Sequence, residues 1–290
     1  MKGICMKLKQ NPTQNRLLAE LDLTEFHRLS PYLELVNMER GHVLYQMGAK
    51  MMYVYFPTTA TISIDYVLED GATSEIASIG NEGLLGVSLF MGGISAPTRA
   101  IVQLAGYAYR LSATRLMEEF YHKGPLLRLL LRYTQTRLTQ ISQLAVCNSH
   151  HTTEQRLCRW LLQMLDRSPT RELAITQEAL AAILGVRREA VTEAAGRLQQ
   201  LDIIKWRRGH VEVLQRTGLH SHVCECYEVV RHATAGLIPK LPLAQAGVVH
   251  PWRARHEGGA RRLAGAERRR EDQPDDPDSA DDTQAELDLF

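Results

Sequence analysis

The sequence predicts an α+β chain in which a small β-barrel or sandwich is followed by a long helix and a C-terminal helix-turn-helix with a hairpin wing. Three observations carry that expectation. Short segments rich in Val, Ile and Tyr recur at regular spacing between about residues 31 and 111. An apolar heptad runs through residues 127–145. Two helical stretches meet at a glycine near residue 185. A length of 290 residues suits about two domains.

The chain opens with "NRLLAELDLTEFHRLS", residues 15–30, whose apolar residues fall at helical spacing. The period then changes. "HVLYQMG", "MYVYFP", "TISIDYVL", "SEIASIG", "RAIVQLAG" and "YAYRLS" read as strands separated by Gly, Pro or Asp-Gly breaks. "LEDGATSE" is a hairpin signal, because Asp-Gly tolerates the positive φ values of a tight turn. After Ser112 the chain becomes helical, first over residues 113–122 and then, beyond Gly124-Pro125, over a longer stretch. In that stretch Leu127, Leu131, Thr134, Leu138, Ile141 and Ala145 repeat at spacings of four and three. Such a seam favours pairing with a copy of itself along roughly 30 Å of helix. The competing reading buries it against its own barrel.

"TTEQRLCRWLLQMLDR", residues 152–167, is amphipathic, and "ELAIT" offers a short strand. "TQEALAAILG" begins with Thr176, a residue suited to capping, has Glu178 in the first turn, and ends on Gly185, which can take a left-handed conformation. A second helix is expected from about Arg187 to Gln200. Its Val191, Ala194, Ala195 and Leu198 fall on one face, whose small residues would let the helix pack closely. Glu189, Thr192, Glu193 and Gly196 point the other way, flanked by Arg188. "DIIKWRRGHVEVL" then reads as strand, basic turn and strand, with Arg207-Arg208-Gly209 at the tip.

DNA is the physical partner for such a face. The major groove admits a helix, Arg can bind guanine O6 and N7 together, and Glu can accept from cytosine N4. Positive charge here must be local, since 34 Lys and Arg nearly balance 33 Asp and Glu in the whole chain. From 185 to 210 six basic residues face three acidic ones. The plainer alternative is a solvated helix face with internal pairs such as Glu193 with Arg197.

The stretch "TQEALAAILGVRREAVTEAAGRLQQLDII" resembles the DNA-binding signature of the Crp/Fnr family of bacterial transcription regulators, which has a Gly turn followed by Arg-Glu. The resemblance spans roughly residues 20–230 in the same order of parts. It implies a double-stranded β-helix or jelly-roll sensor barrel of the cyclic-nucleotide-binding type over 15–112 and a dimerisation helix within 113–148. A winged helix-turn-helix over 149–231 completes the order of parts; beyond it, residues 232–290, basic and then acidic with no lasting apolar period, read as a disordered charged tail. It places Arg188 and Glu189 at base-reading positions, with Glu193 where several members carry Arg. The expected DNA-contacting set is Thr176, Gln177, Arg187, Arg188, Glu189, Thr192, Glu193, Arg197, Arg207 and Arg208. Double-stranded DNA, a second copy of the chain and RNA polymerase are the implied partners, with an effector of unknown identity. A protein-interaction module whose helix-turn-helix is silent on DNA is the alternative.

Members that bind cyclic AMP use a Gly-Glu pair for the ribose hydroxyl and an Arg-Ser or Arg-Thr pair for the phosphate. Here the matching stretches are "LGVSLF", 85–90, and "PTRAIV", 97–102, with Val87 in the place of the Glu and Thr98-Arg99 in swapped order. A shifted register would use Glu82 instead. The expectation is a degenerate pocket, with no cofactor assigned. His220, His222, Cys224 and Cys226 do not have a usual zinc spacing, and no metal site is expected. Five cysteines, no 18-residue apolar run and no signal-like leader point to a reducing cytoplasm. No P-loop, GxGxxG or Ser/His/Asp arrangement suggests an enzyme.

Overall fold

The computed structural model describes residues 10–236 except 70, 72 and 169. Helices α1 (Arg16–Ala19) and α2 (Leu23–Leu29) lead into strands β1 (Glu34–Met38), β2 (Val43–Tyr45), β3 (Tyr53–Pro57), β4 (Thr61–Val67) and β5 (Thr73–Ile79). The short α3 (Val87–Phe90) precedes β6 (Arg99–Leu104) and β7 (Gly106–Ser112). Then come α4 (Ala113–Tyr121), α5 (Pro125–His150) and α6 (Thr153–Arg167). The last part comprises β8 (Glu172–Ala174), α7 (Gln177–Leu184), α8 (Arg188–Gln200), β9 (Ile204–Arg207), β10 (His210–Val213), α9 (Arg216–His222) and α10 (Cys226–Ala235).

The barrel is two antiparallel sheets, ordered β1-β7-β3 and β2-β6-β4-β5. Strand alternation decides what faces inward. Ile62, Ala100 and Val102 are buried with Met38, Tyr45 and Ile79 between the sheets, while Ser63, Arg99, Ile101 and Gln103 face out. The β4–β5 hairpin forms at the Asp-Gly step, where Gly71 N–H donates to Leu68 O at 3.0 Å. Strand β1 was not among the segments legible in the sequence, because "ELVNM" lacks clean alternation and is fixed by pairing with β7 more than sixty residues on.

A second core joins the barrel to the helices through Val54, Phe56, Leu84, Leu111, Leu116, Leu126 and Leu130. Tyr133 of α5 lies across Gly83 and donates to Leu84 O at 2.9 Å. A side chain at 83 would meet the Tyr133 ring within 3 Å, so the close approach requires glycine.

Helix α5 begins on Pro125 at its first turn and runs 26 residues, about 39 Å at 1.5 Å per residue. One side packs on the barrel. On another lie Leu131, Leu138 and Ile141, which are 49%, 56% and 40% exposed, together with exposed Ala145 and half-buried Leu127. Thr134 departs from the expected seam: it is buried within the protomer, and its hydroxyl donates back to Leu130 O.

Helical structure extends further along the chain than the sequence suggests. Helix α10 continues through Ala235, past the expected boundary at 232, because it packs along α5. Thr136 Oγ1 donates to Ala233 O, Gln140 Nε2 to Thr234 Oγ1, and Arg132 to Gly236 O. The charged tail itself lies outside the described residues.

Candidate nucleic-acid interface

Local chemistry builds the helix pair. Thr176 Oγ1 accepts from Ala179 N–H at 3.1 Å and opens α7. Gly185 closes it at φ +63°, a conformation that costs glycine nothing, and Val186 N–H reaches back to Ala181 O at 3.0 Å. The turn aims α8 across α7. Val191, Ala194, Ala195 and Leu198 are wholly buried, packing with Leu157, Trp160, Leu161, Leu180 and Leu184. The small residues on this face let the helix sit close, as the sequence implies.

The opposite face carries Arg188, Glu189, Thr192 and Glu193, all exposed, with Arg187 exposed at the N-cap. Thr192 Oγ1 donates to Gln177 Oε1 at 2.8 Å, which links the two helices at the outward surface. Arg188 Nε lies 4.0 Å from Glu178 Oε2, a loose contact between exposed groups that leaves the guanidinium accessible. Arg197 is differently placed. Its guanidinium meets Glu154 at 2.7 Å and Glu193 at 2.6 Å, so the internal pairing foreseen for Glu193 forms and Arg197 is held against α6.

Strands β9 and β10 form the wing, paired in a sheet ordered β8-β10-β9, and Arg207, Arg208 and Gly209 stand at its tip. Both arginines are exposed. Trp206 N–H donates to Gln199 Oε1 at 2.7 Å, fixing the wing to the end of α8. The helix N-terminus and the wing tip thus present cationic groups on a packed frame.

The barrel residues considered for a nucleotide do not converge. Val87 packs against the second core. Arg99 points to the outer face of its sheet and pairs with Asp65 at 2.9 Å. Glu82 is buried and bonded to Arg167 of α6 at 2.6 Å, and it also accepts from Gly80 N–H. Burial raises its pKa, but the Arg167 guanidinium and the N–H donors outweigh burial and hold it below the usual range.

On that outer face Ser63, Asp65, Glu75 and Gln103 line a groove of ≈ 240 Å³ against Ala179, Ala182 and Ile183 of α7. One Ser63 hydroxyl proton faces two carboxylates, Asp65 and Glu75. Burial, and then the Asp65 charge, push Glu75 up from 4.5 to about 7, against partial compensation by hydrogen bonds from Ser63 and Gln103. The folded chain therefore keeps a proton that the unfolded chain releases, and stability falls as pH rises from about 4.5 to about 7. Glu75→Gln is expected to raise the melting temperature at pH 8 and leave it nearly unchanged at pH 4. Equal shifts at both pH values would contradict this ionisation.

Sequence reasoning missed one convergence. Cys224 and Cys226 meet Cys147 and His151, not His220 or His222, with all four donor atoms within 4.8 Å of one another. His222 instead bonds Glu154 at 3.0 Å, and His220 stacks edge-on against Tyr227. The available signal was Cys147 and His151 at i and i+4, one face of a helix.

Residues 155–221 match the family model of the Crp-like helix-turn-helix domain. The chain carries a Crp-like helix-turn-helix domain. Around it the fold is that of Crp/Fnr regulators. FixK2 from Bradyrhizobium japonicum aligns with a TM-score of 0.58 at 18% identity, over 66% of this chain and 98% of that one. A Crp/Fnr-family transcriptional regulator from Eubacterium rectale aligns at 0.56 and 17%, over 72% and 98%. The c-di-GMP-responsive global regulator CLP of Xanthomonas campestris aligns at 0.54 and 16%, over 66% and 99%. No curated protein matches the chain. The Crp-like domain contains α7, the Gly185 turn, α8 and the wing, so the geometry above belongs to a DNA-binding module. No helix among the described residues is long and apolar enough to cross a membrane.

Proposed function

We propose that the protein is a sequence-specific transcription regulator that binds an inverted repeat as a homodimer in the cytoplasm, under control of an effector and in contact with RNA polymerase. The observation that carries the reading is the exposed outward face of α8, with Arg187, Arg188, Glu189 and Thr192 at its N-terminal end and the small-residue face fully buried. Arg188 and Glu189 read base edges in the major groove. Thr176, Gln177, Arg187, Arg207 and Arg208 position the domain on phosphates. Glu193 and Arg197 sit at the edge of this set, Arg197 neutralised by two carboxylates.

Selection of bound sites from random duplexes tests the whole reading. An inverted repeat with half-sites about one helical turn apart is expected. Absence of any salt-dependent binding would favour the protein-interaction alternative. Arg188→Ala should cost about 1–3 kcal/mol on the selected site and relax choice at one base pair. Arg208→Ala should weaken all sequences alike and lower the salt slope. Identical behaviour of the two variants across sequences would reject the division into reader and positioner.

Ordinary cyclic AMP control does not fit this chain. A bound cyclic phosphate needs a fixed cation and hydrogen-bond donors to replace lost hydration, and its ribose hydroxyl needs an acceptor. Arg99 is turned outward onto Asp65, Val87 offers no acceptor, and Glu82 is engaged by Arg167. Calorimetry with cyclic AMP and cyclic GMP is expected to give no heat of binding. A micromolar affinity that disappears in Arg99→Ala would restore the usual ligand.

A further inference from the structure

We propose that Cys147, His151, Cys224 and Cys226 bind a single tetrahedrally coordinated zinc ion at the joint between the long helix and the DNA-binding region. Cys147 Sγ lies 3.6 Å from Cys224 Sγ, and Cys226 Sγ lies 3.4 Å from His151 Nδ1. A zinc ion with Zn–S of about 2.3 Å and Zn–N of about 2.0–2.1 Å has donor–donor edges of about 3.5–3.8 Å; the two edges above match these, and all four donor atoms lie within 4.8 Å of one another. The three sulfurs belong to buried residues, and Cys3His is a soft, closed donor set that selects zinc over magnesium or calcium. An iron–sulfur cluster spreads its ligands over several irons and needs a wider cage.

The surroundings are those of a metal centre. His151 offers Nδ1 to the site while its Nε2 lies 3.4 Å from Glu225 Oε2, the carboxylate–histidine arrangement that orients a ligating imidazole. Gln143 Nε2 donates to Cys226 Sγ at 3.0 Å. Three thiolates around Zn²⁺ leave one negative charge. Arg156 and Arg159, both buried and both in electrostatic reach of Cys147, form no ion pair with a carboxylate among the described residues, and the Nε of each lacks a partner. A net anionic centre supplies the counter-charge. The ligands come from the last turn of α5, the α5–α6 joint and the start of α10, so the ion staples the segment through which the long helix would orient the reading head. Its binding free energy is folding free energy for that joint. The inference does not depend on the DNA reading.

Cobalt is the probe. The full chain, reduced, stripped with chelator and titrated anaerobically with Co²⁺, is expected to show d–d bands and a thiolate charge-transfer band. These should saturate at one ion per protomer and be displaced by Zn²⁺. Cys224→Ser and Cys226→Ser should lose the charge-transfer band, while Cys158→Ala, altering a cysteine outside the cluster, should keep it. Glu225→Gln should weaken the site about 10–100-fold. Folded wild-type protein without a thiolate band would overturn the proposal. So would a band that survives both Ser substitutions, or a Cys147–Cys224 disulfide as the form isolated metal-free under reducing conditions.

Discussion

Leu138→Glu combined with Ile141→Glu is expected to turn the protein into a monomer and to weaken its binding to an inverted repeat by about 100-fold or more. Both side chains are exposed on the protomer, so neither substitution removes a contact of its own core. Together with Leu131 and Ala145 they form an apolar stripe along α5, at the heptad spacing that two copies would bury against each other. Paired carboxylates at adjacent rungs of that seam would face their symmetry mates and repel. Loss of the proposed dimer would unlink two half-site contacts, and linkage of this kind multiplies affinity by about 10²–10⁴. Sedimentation gives the assembly state, and titration of single and paired half-sites gives the affinity. A variant that stays dimeric, or a monomer that binds the full site as tightly as wild type, would remove the seam from α5. Thr134, turned inward onto Leu130, should be insensitive in the same assay.

What could be read in advance follows from the range of the interactions. The helix pair and wing were legible because every signal is local: the Thr176 cap, the left-handed Gly185, and small residues at 191, 194 and 195. The β4–β5 hairpin was legible for the same reason, with its turn written as Asp-Gly. Strand β1 and the continuation of α10 depend on partners far away in sequence, β7 and α5, and their own patterns are weak. The site residues divide in the same way. Arg188 and Glu189 stand outward as helical spacing implies, whereas the commitment of Arg197 to Glu154 needed a partner 43 residues away. The Cys147–His151–Cys224–Cys226 convergence was hidden because the nearest histidines in sequence, His220 and His222, are not the ones brought to the sulfurs. The outward direction of Arg99 follows from alternation with Ala100 and Val102, but Ile101, facing out with it, blurs the pattern, since α7 gives that apolar side chain a neighbour.

Arg167→Ala is expected to destabilise the protein by about 3–5 kcal/mol at pH 7, because it leaves the largely buried Glu82 carboxylate without its guanidinium partner. Both side chains are only 10% exposed, and Arg167 also donates to Ser78 Oγ at 2.6 Å, so one residue of α6 ties together the end of β5 and the β5–α3 loop. The double variant Arg167→Met, Glu82→Gln should recover much of the loss, since it removes the buried charge together with its partner. The pH dependence has a definite sign. Glu82 titrates below the usual carboxylate range in the folded chain, so its contribution is complete above the unfolded carboxylate pKa and is lost as pH falls through the lower, folded value. The gap between wild type and Arg167→Ala should therefore narrow in acid. Denaturant titrations at pH 7 and pH 3 measure it. If instead Glu82→Gln alone is harmless to stability but abolishes binding of a cyclic nucleotide, Glu82 belongs to a ligand site and its pairing with Arg167 is incidental.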